Sequence, residues 1–207
     1  MDQAQLAADH EAELLEKIAS RQAVVAIVGL GYVGLPLATE LALAGFHVRG
    51  VDVDPGRIEQ INSGNSYIGD VNSAVLAGVV AKELLRATTD QATLAEADAI
   101  VVCVPTPLRK TKDPDVSFIV DAVSRIKTHA RAGQIVILES TTYPGTCEEL
   151  VAPILAETGL DVGRELFLAF SPERVDPGNK TFSTRNIPKV VGGVNDASAR
   201  IAAALYG

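Results

Sequence analysis

Three glycines and a carboxylate carry the first chemistry legible in this chain. Gly29, Gly31 and Gly34 stand in the spacing G-x-G-x-x-G, after the β-branched run Val24-Val25-Ala26-Ile27-Val28 and before a helical pattern from Leu35 to Ala44. In that setting each glycine has its own task. Gly29 turns the chain sharply out of the strand, Gly31 lets a pyrophosphate approach a backbone that lacks a Cβ, and Gly34 lets the helix pack closely on the strand. The helix N-terminus then offers unpaired N–H groups and the positive end of its dipole to phosphate. A second apolar strand over 46–51 ends at Asp52, 18 positions beyond Gly34. A carboxylate about 20 residues on accepts the adenosine ribose hydroxyls and repels a 2′-phosphate, which favours NAD over NADP. A helix cap or solvated turn residue is the other reading of Asp52. Asp54 is the weaker candidate, because Asp54-Pro55-Gly56 reads as a turn.

Further polar groups follow the later strands. In open parallel sheets, ligands gather beyond the carboxyl ends of the strands. Pro105-Thr106-Pro107 follows the run 99–104, Ser140 to Thr146 follows 134–139, and Ser171 to Asn179 follows 166–170. Prolines stiffen these turns, and Thr106 presents a hydroxyl where a cofactor ribose is expected. Loops at strand ends are rich in Ser, Thr and Pro in any case; three such loops beside a glycine fingerprint describe a built site. Glu173 adds a base: hydride leaves an alcohol carbon only as the hydroxyl proton leaves, and a carboxylate or its water must receive that proton. A salt bridge to a basic neighbour is the competing role for Glu173. Of the two cysteines, Cys103 reads as a buried strand thiol. Cys147 stands near a helix start, where a thiolate would be stabilised. His10, His47 and His129 are far apart and form no ligand set.

The elements that must position these residues alternate regularly. Strands are expected over 23–29, 46–52, 84–87, 99–104, 134–139 and 166–170, with Lys189-Val190-Val191 as a last extended run. Helices are expected near 55–63, 72–82, 116–131 and 145–158, and from Asn195 onward. Apolar runs without polar interruption suit strands covered on both faces. The repeated β-α-β order then makes a doubly wound, mostly parallel α/β sheet, a Rossmann-type domain over 23–207. Residues 3–20 form an amphipathic helix with Leu6, Leu14 and Ile18 on one face. Residues 1–22 are thus an appendage that packs on the domain or on a partner subunit.

Composition narrows the class. Of 207 residues, 47% are hydrophobic and 21% charged, enough apolar material for a real core. A net charge of −8 argues against a nucleic-acid partner, and the basic run Arg109-Lys110-Thr111-Lys112 is followed at once by Asp113 and Asp115. No apolar stretch reaches the ~18 residues of a membrane span, and the start lacks an apolar signal core. Two cysteines make no disulfide framework. A reduced, cytoplasmic protein is expected.

Four segments together resemble one family, the UDP-glucose/GDP-mannose dehydrogenases, and within it the branch acting on UDP-N-acetylhexosamines. They are Val28 to Pro36, Val102 to Leu108, Glu139 to Thr146 and Phe170 to Gly178, in the family's order. The resemblance implies oxidation of the sugar C6 alcohol to a carboxylate, with two hydrides passed to two NAD⁺. It implies that Gly29, Gly31, Tyr32, Val33 and Gly34 cradle the pyrophosphate. Asp52, with Arg57 nearby, would hold the adenosine ribose, though Arg57 also reads as a solvated helix residue. Pro105 and Thr106 would contact cofactor, and Thr141 would lie beside the nicotinamide. Thr141 and Glu173 would hold the reacting water, and Arg174 would sit near the sugar or an adjoining subunit. The family's members are homo-oligomers, so a dimer is expected.

Two departures matter. The UDP-glucose branch has a second glutamate four positions beyond Glu173, where this chain has Pro177. The family's nucleophilic cysteine, which traps the aldehyde, lies in a motif that these 207 residues do not contain; the basic residues that grip UDP and the dimerising helix are missing too. The expectation is therefore a first domain that binds NAD but does not turn over alone. Two rivals remain at this point: a dehydrogenase domain of the hydroxy-acid class, and a non-enzymatic module that senses NAD.

Overall fold

A computed structural model describes residues 3–109, 114–174, 184 and 187–207, without the side chains of residues 3, 4 and 6. Pro177 and most of the basic run at 109–112 lie outside the described residues. Arg109 itself pairs with Asp115 at 2.9 Å.

Among the described residues six strands run parallel and a seventh closes one edge. They are β1 (Val24–Val28), β2 (His47–Val51), β3 (Leu85–Thr88), β4 (Ala99–Val102), β5 (Gln134–Leu138), β6 (Leu166–Phe170) and β7 (Gly192–Gly193). The order across the sheet is β3-β2-β1-β4-β5-β6-β7, with only β7 antiparallel. The last strand is therefore not the expected Lys189-Val190-Val191 run but the two glycines after it. There Phe170 faces Gly192 and Ala169 faces Gly193. Gly193 has no room for a side chain, since a Cβ would lie 2.3 Å from the amide nitrogen of Ala199.

Alternation along the strands sends side chains to two cores. Val25, Ile27, Ile135 and Ile137 meet the helices α1 (Gln3–Ala19), α2 (Gly34–Leu43), α4 (Ser73–Ala81) and α7 (Asp196–Tyr206). Ala26, Ile100, Val136 and Leu138 meet α5 (Ser117–Lys127) and α6 (Ala152–Ala156). Helix α3 (Pro55–Asn62) lies beside β3. Burial on both faces is why these strands read as unbroken apolar runs.

Two expected helices are shorter in the structure. The 116–131 helix ends at Lys127, where the Thr128 hydroxyl turns back to Arg125 O at 2.7 Å. The 145–158 helix begins as a π turn, Cys147–Val151, and becomes α6 only at Ala152. Pro153 explains this: it has no N–H for Glu149 O and its ring would crowd that carbonyl, so the upstream turn widens.

Helix α1 packs against the domain. Leu14 and Ile18 are buried in the α2/α7 core, and Arg200 of α7 grips Glu11 at 2.7 Å. Lys17 reaches Asp98 at 3.2 Å, and Asp98 also accepts Val24 N–H and Arg131. Burial pushes the Asp98 carboxyl up, but these three donors outweigh it and hold it below the usual carboxylate range.

Candidate functional site

The strand order reverses between β1 and β4, and a crevice opens above their carboxyl ends, as at the switch point of other open sheets. It holds a cavity of about 610 Å³ that stretches from Asp52 and Arg57 at one end to Thr141 and Glu173 at the other.

The glycine turn lines the cavity. Gly29 has φ +91°, and a Cβ there would meet Cys103 O at 2.7 Å. Gly34 is tighter still: a Cβ would lie 1.8 Å from Gly29 O. By contrast nothing stands within 4 Å of the Cβ position of Gly31, which faces the cavity. No internal contact explains that glycine, whereas a phosphate seated on the backbone would. Val33 is the N-cap of α2 and supplies no side-chain bond; Leu35 N–H donates to Gly31 O at 3.1 Å and Pro36 has no N–H, so of the first-turn amides only those of Val33 and Gly34 are without a backbone partner among the described residues. Tyr32 and Val33 line the cavity. Gly34 is buried behind the turn and, unlike residues 29, 31, 32 and 33, does not line the cavity.

Asp52 is buried, and its carboxylate does more than the spacing foretold. One oxygen accepts Leu30 N–H at 2.7 Å and Arg57 Nη1 at 3.2 Å; the other accepts Asp54 N–H at 3.0 Å. The acid thus ties the glycine turn to the end of β2. Arg57 lies at the cavity rim, 5.9 Å from the ring centroid of Tyr67. Tyr67 closes the same knot by donating to Leu30 O at 2.6 Å, and burial pushes its hydroxyl up to about 12. Asp54 serves as the cap of α3, accepting Gly56 N–H at 2.8 Å. Phe118, Arg125 and Gln91 also line the cavity. Isolated in sequence among ordinary helix and turn residues, they gave no signal.

At the other end Pro105, Thr106, Thr141 and Glu173 come together on one wall. Thr106 donates to Thr141 O at 2.5 Å and Ser140 donates to Val104 O at 2.9 Å, so the loops after β4 and β5 are stitched together. Thr141 and Glu173 also border a second cavity of about 430 Å³, lined by Gly145, Phe170 and Gly193 among others. Arg174 is exposed and lines neither cavity. Sequence reasoning missed Glu139, which lies on the cavity wall, pairs with Lys189 and accepts the Tyr206 hydroxyl at 2.5 Å. A carboxylate closing the apolar run Gln134 to Leu138 was the available signal.

Both cysteines are buried and unpaired. Burial pushes the Cys103 thiol well up and the Cys147 thiol up to about 12, so the helix-start stabilisation considered for Cys147 does not operate. Its Sγ faces Ala169 O at 3.9 Å. Among the described residues no group of three His, Cys, Asp or Glu side chains is placed to hold a metal, and no helix is long and apolar enough to cross a membrane.

A doubly wound sheet with a glycine turn at its switch point and a buried acid after β2 defines a dinucleotide-binding domain of the dehydrogenase type. Residues 23–207 match the UDP-glucose/GDP-mannose dehydrogenase family, NAD binding domain, and the chain belongs to that family. It is 39% identical over 185 residues to UDP-N-acetyl-D-glucosamine 6-dehydrogenase of Pseudomonas aeruginosa, covering 88% of this chain and 42% of that protein. It is 35% identical over 186 residues to UDP-N-acetyl-D-mannosamine dehydrogenase of Methanococcus aeolicus, covering 88% and 41%. Among solved structures it is similar to NDP-N-acetyl-D-galactosaminuronic acid dehydrogenase from Methanosarcina mazei Go1. The TM-score is 0.83 at 32% identity, over 93% of this chain and 44% of that one. The chain therefore spans less than half the length of these relatives. Its cofactor is NAD.

Proposed function

We propose that this domain serves an enzyme that oxidises the C6 hydroxymethyl of a UDP-N-acetylhexosamine to the uronate, in two NAD-dependent steps. The observation that carries this reading is the junction of two cavities at Thr141 and Glu173. One, of about 610 Å³ and lined from Asp52 onward, receives a dinucleotide, and the other opens a second space beside its far end. The names of the relatives, which are dehydrogenases of N-acetylated amino sugars, supply the substrate class.

NAD⁺ supplies a hydride acceptor. Gly31, Tyr32 and the N–H groups of Val33 and Gly34 receive its pyrophosphate, and Asp52 with Arg57 receives the adenosine ribose. Pro105 and Thr106 border its second ribose, and Thr141 places the nicotinamide. Glu173 takes the C6 hydroxyl proton as hydride departs, and with Thr141 it orients water for the hydrolytic step. Arg174 is free to meet the sugar or a neighbouring subunit of a homodimer, in the cytoplasm. Neither thiol is exposed or easily ionised, so this chain by itself binds NAD but does not complete turnover, which needs a thiolate nucleophile.

Calorimetry on the chain should show NAD⁺ binding, and no NADH should form with UDP-N-acetylglucosamine or UDP-N-acetylmannosamine. In the whole protein the expected yield is two NADH per sugar, and Glu173→Gln should depress turnover far more than NAD⁺ affinity. Oxidation of a simple hydroxy acid in preference to a UDP-sugar would overturn the reading.

A further inference from the structure

The wall near Thr141 and Glu173 contains a buried charge cluster that the proposed chemistry does not use. Glu139 is 1% exposed and directly follows β5. Its carboxylate pairs with the Lys189 ammonium and accepts the Tyr206 hydroxyl at 2.5 Å. The Lys189 side chain is 12% exposed and its ammonium lies 5.2 Å from the Tyr206 ring centroid. Three distant pieces meet here: the end of β5, the segment before β7 and the last turn of α7. Glu173 and Cys103 lie near enough to feel the cluster. Burial raises the Glu139 carboxyl against the pull of Lys189, and Glu173 adds to the rise.

A buried ion pair is a costly way to hold a helix to a sheet, because an apolar pair of similar volume does so as well or better. Its location suggests another purpose. Glu139 lines the cavity and Lys189 does not, so of the two charged residues the acid is the one beside the space. Oxidised nicotinamide is a cation and reduced nicotinamide is neutral. A fixed dipole in a poorly solvated wall weighs these two forms differently.

We propose that the Glu139–Lys189 pair, held by Tyr206, sets the ratio of NAD⁺ to NADH affinity by presenting a carboxylate to the nicotinamide end of the cavity. This rests on the reading that the Thr141 end receives the nicotinamide. Glu139 and Lys189 are positioning residues, and neither touches a reacting atom.

The test is titration of the chain with NAD⁺ and with NADH. Glu139→Gln removes the anion and leaves the ammonium, so the NAD⁺/NADH affinity ratio should fall by about 5- to 10-fold, the scale of one charge acting across a partly shielded wall. Glu139→Gln with Lys189→Met removes both charges, and the ratio should climb back toward wild type. Tyr206→Phe alters no charge and should leave the ratio in place while lowering Tm. A purely structural role would weaken both dinucleotides equally in Glu139→Gln, or leave the double variant at the single variant's ratio, and either result overturns the proposal. Should Glu139→Gln not fold, Lys189→Met, which leaves the carboxyl without its cation, must raise the ratio as the pH is increased; a ratio unmoved by pH there also overturns it. Wild type that holds neither dinucleotide would instead refute the cofactor site itself.

Discussion

The two ends of the cavity are built on different plans. The Asp52 end is compact in sequence: Gly29 to Tyr67 supply the turn, the acid, the arginine and the tyrosine that closes on Leu30. Its bonds are mostly between side chains and nearby backbone, and its geometry is set by glycines with no space for a Cβ. The Thr141 end gathers residues from 103 to 206, joined by threonine and serine hydroxyls and by a buried ion pair. A local device can be copied between proteins as a unit, while a dispersed one depends on the whole sheet. On the proposed reading, one end receives a constant group, the adenosine diphosphate, and the other carries chemistry particular to a family.

Substitutions in the glycine turn should separate fold from ligand most sharply. Gly34→Val places carbon atoms where Gly29 O already stands, at 1.8 Å for the Cβ alone. We expect a loss of about 3 kcal/mol or more in urea unfolding, at the upper end of overpacking effects. Gly31→Ala, with open space at its Cβ, should leave the unfolding midpoint within about 0.5 kcal/mol of wild type and still weaken NAD⁺ binding at least tenfold. Equal stability losses in the two variants would erase the distinction between a packing glycine and a ligand-facing one.

Asp52→Ala comes next. A pure ribose ligand would affect binding alone, but Asp52 also accepts the amides of Leu30 and Asp54. Stability should therefore fall by about 1.5–3 kcal/mol, the range for hydrogen bonds to a charged group, and NAD⁺ affinity should fall with it. Unchanged unfolding with weakened binding would show that the turn does not lean on the acid.

Asp98, at the amino end of the central strand β4, serves as a control on the same scale. Its folded carboxyl is held below the ordinary value of about 3.9. The contribution is thus fully present above that value and is lost as pH falls through the lower folded one. Asp98→Asn should cost about 1–2 kcal/mol at pH 7, leave NAD⁺ affinity unchanged, and cost progressively less below pH 4. A pH-independent difference in Tm would contradict the assignment of Lys17, Arg131 and Val24 N–H as its partners.

The unequal legibility of the two ends follows from their construction. Spacing is visible in a sequence, so the glycines, Asp52 and the strands around them could be placed, and β6 was bounded to the residue. Thr106, Thr141 and Glu173 were found because each follows a strand. The Asp52 bond to Leu30 N–H was not, since a carboxylate's partners depend on how two loops fold over each other. Glu139 escaped for the same reason: Lys189 and Tyr206 are 50 and 67 positions away. The antiparallel β7 was missed because two glycines carry no strand pattern; they pair where the return from β6 leaves them.

The smallest effect tests whether the dispersed end is held as finely as the compact one. Thr106 donates to Thr141 O at 2.5 Å and is the side-chain tie seen between the Pro105-Thr106-Pro107 turn and the loop after β5. Thr106→Val keeps the shape of the side chain and removes the donor. Because the bond is exposed, water can replace it, and stability should fall by only about 0.5–1.5 kcal/mol. Binding should respond in a graded way. The Thr141 backbone would gain freedom at the reduced ring while the pyrophosphate turn stays intact, so NADH should bind about threefold more weakly, and its bound fluorescence should change. ADP-ribose, which lacks the nicotinamide, should bind as it does to wild type. Loss of ADP-ribose affinity by the same factor would mean that the two ends move together, and that the division between a portable half and a dispersed half does not describe this domain.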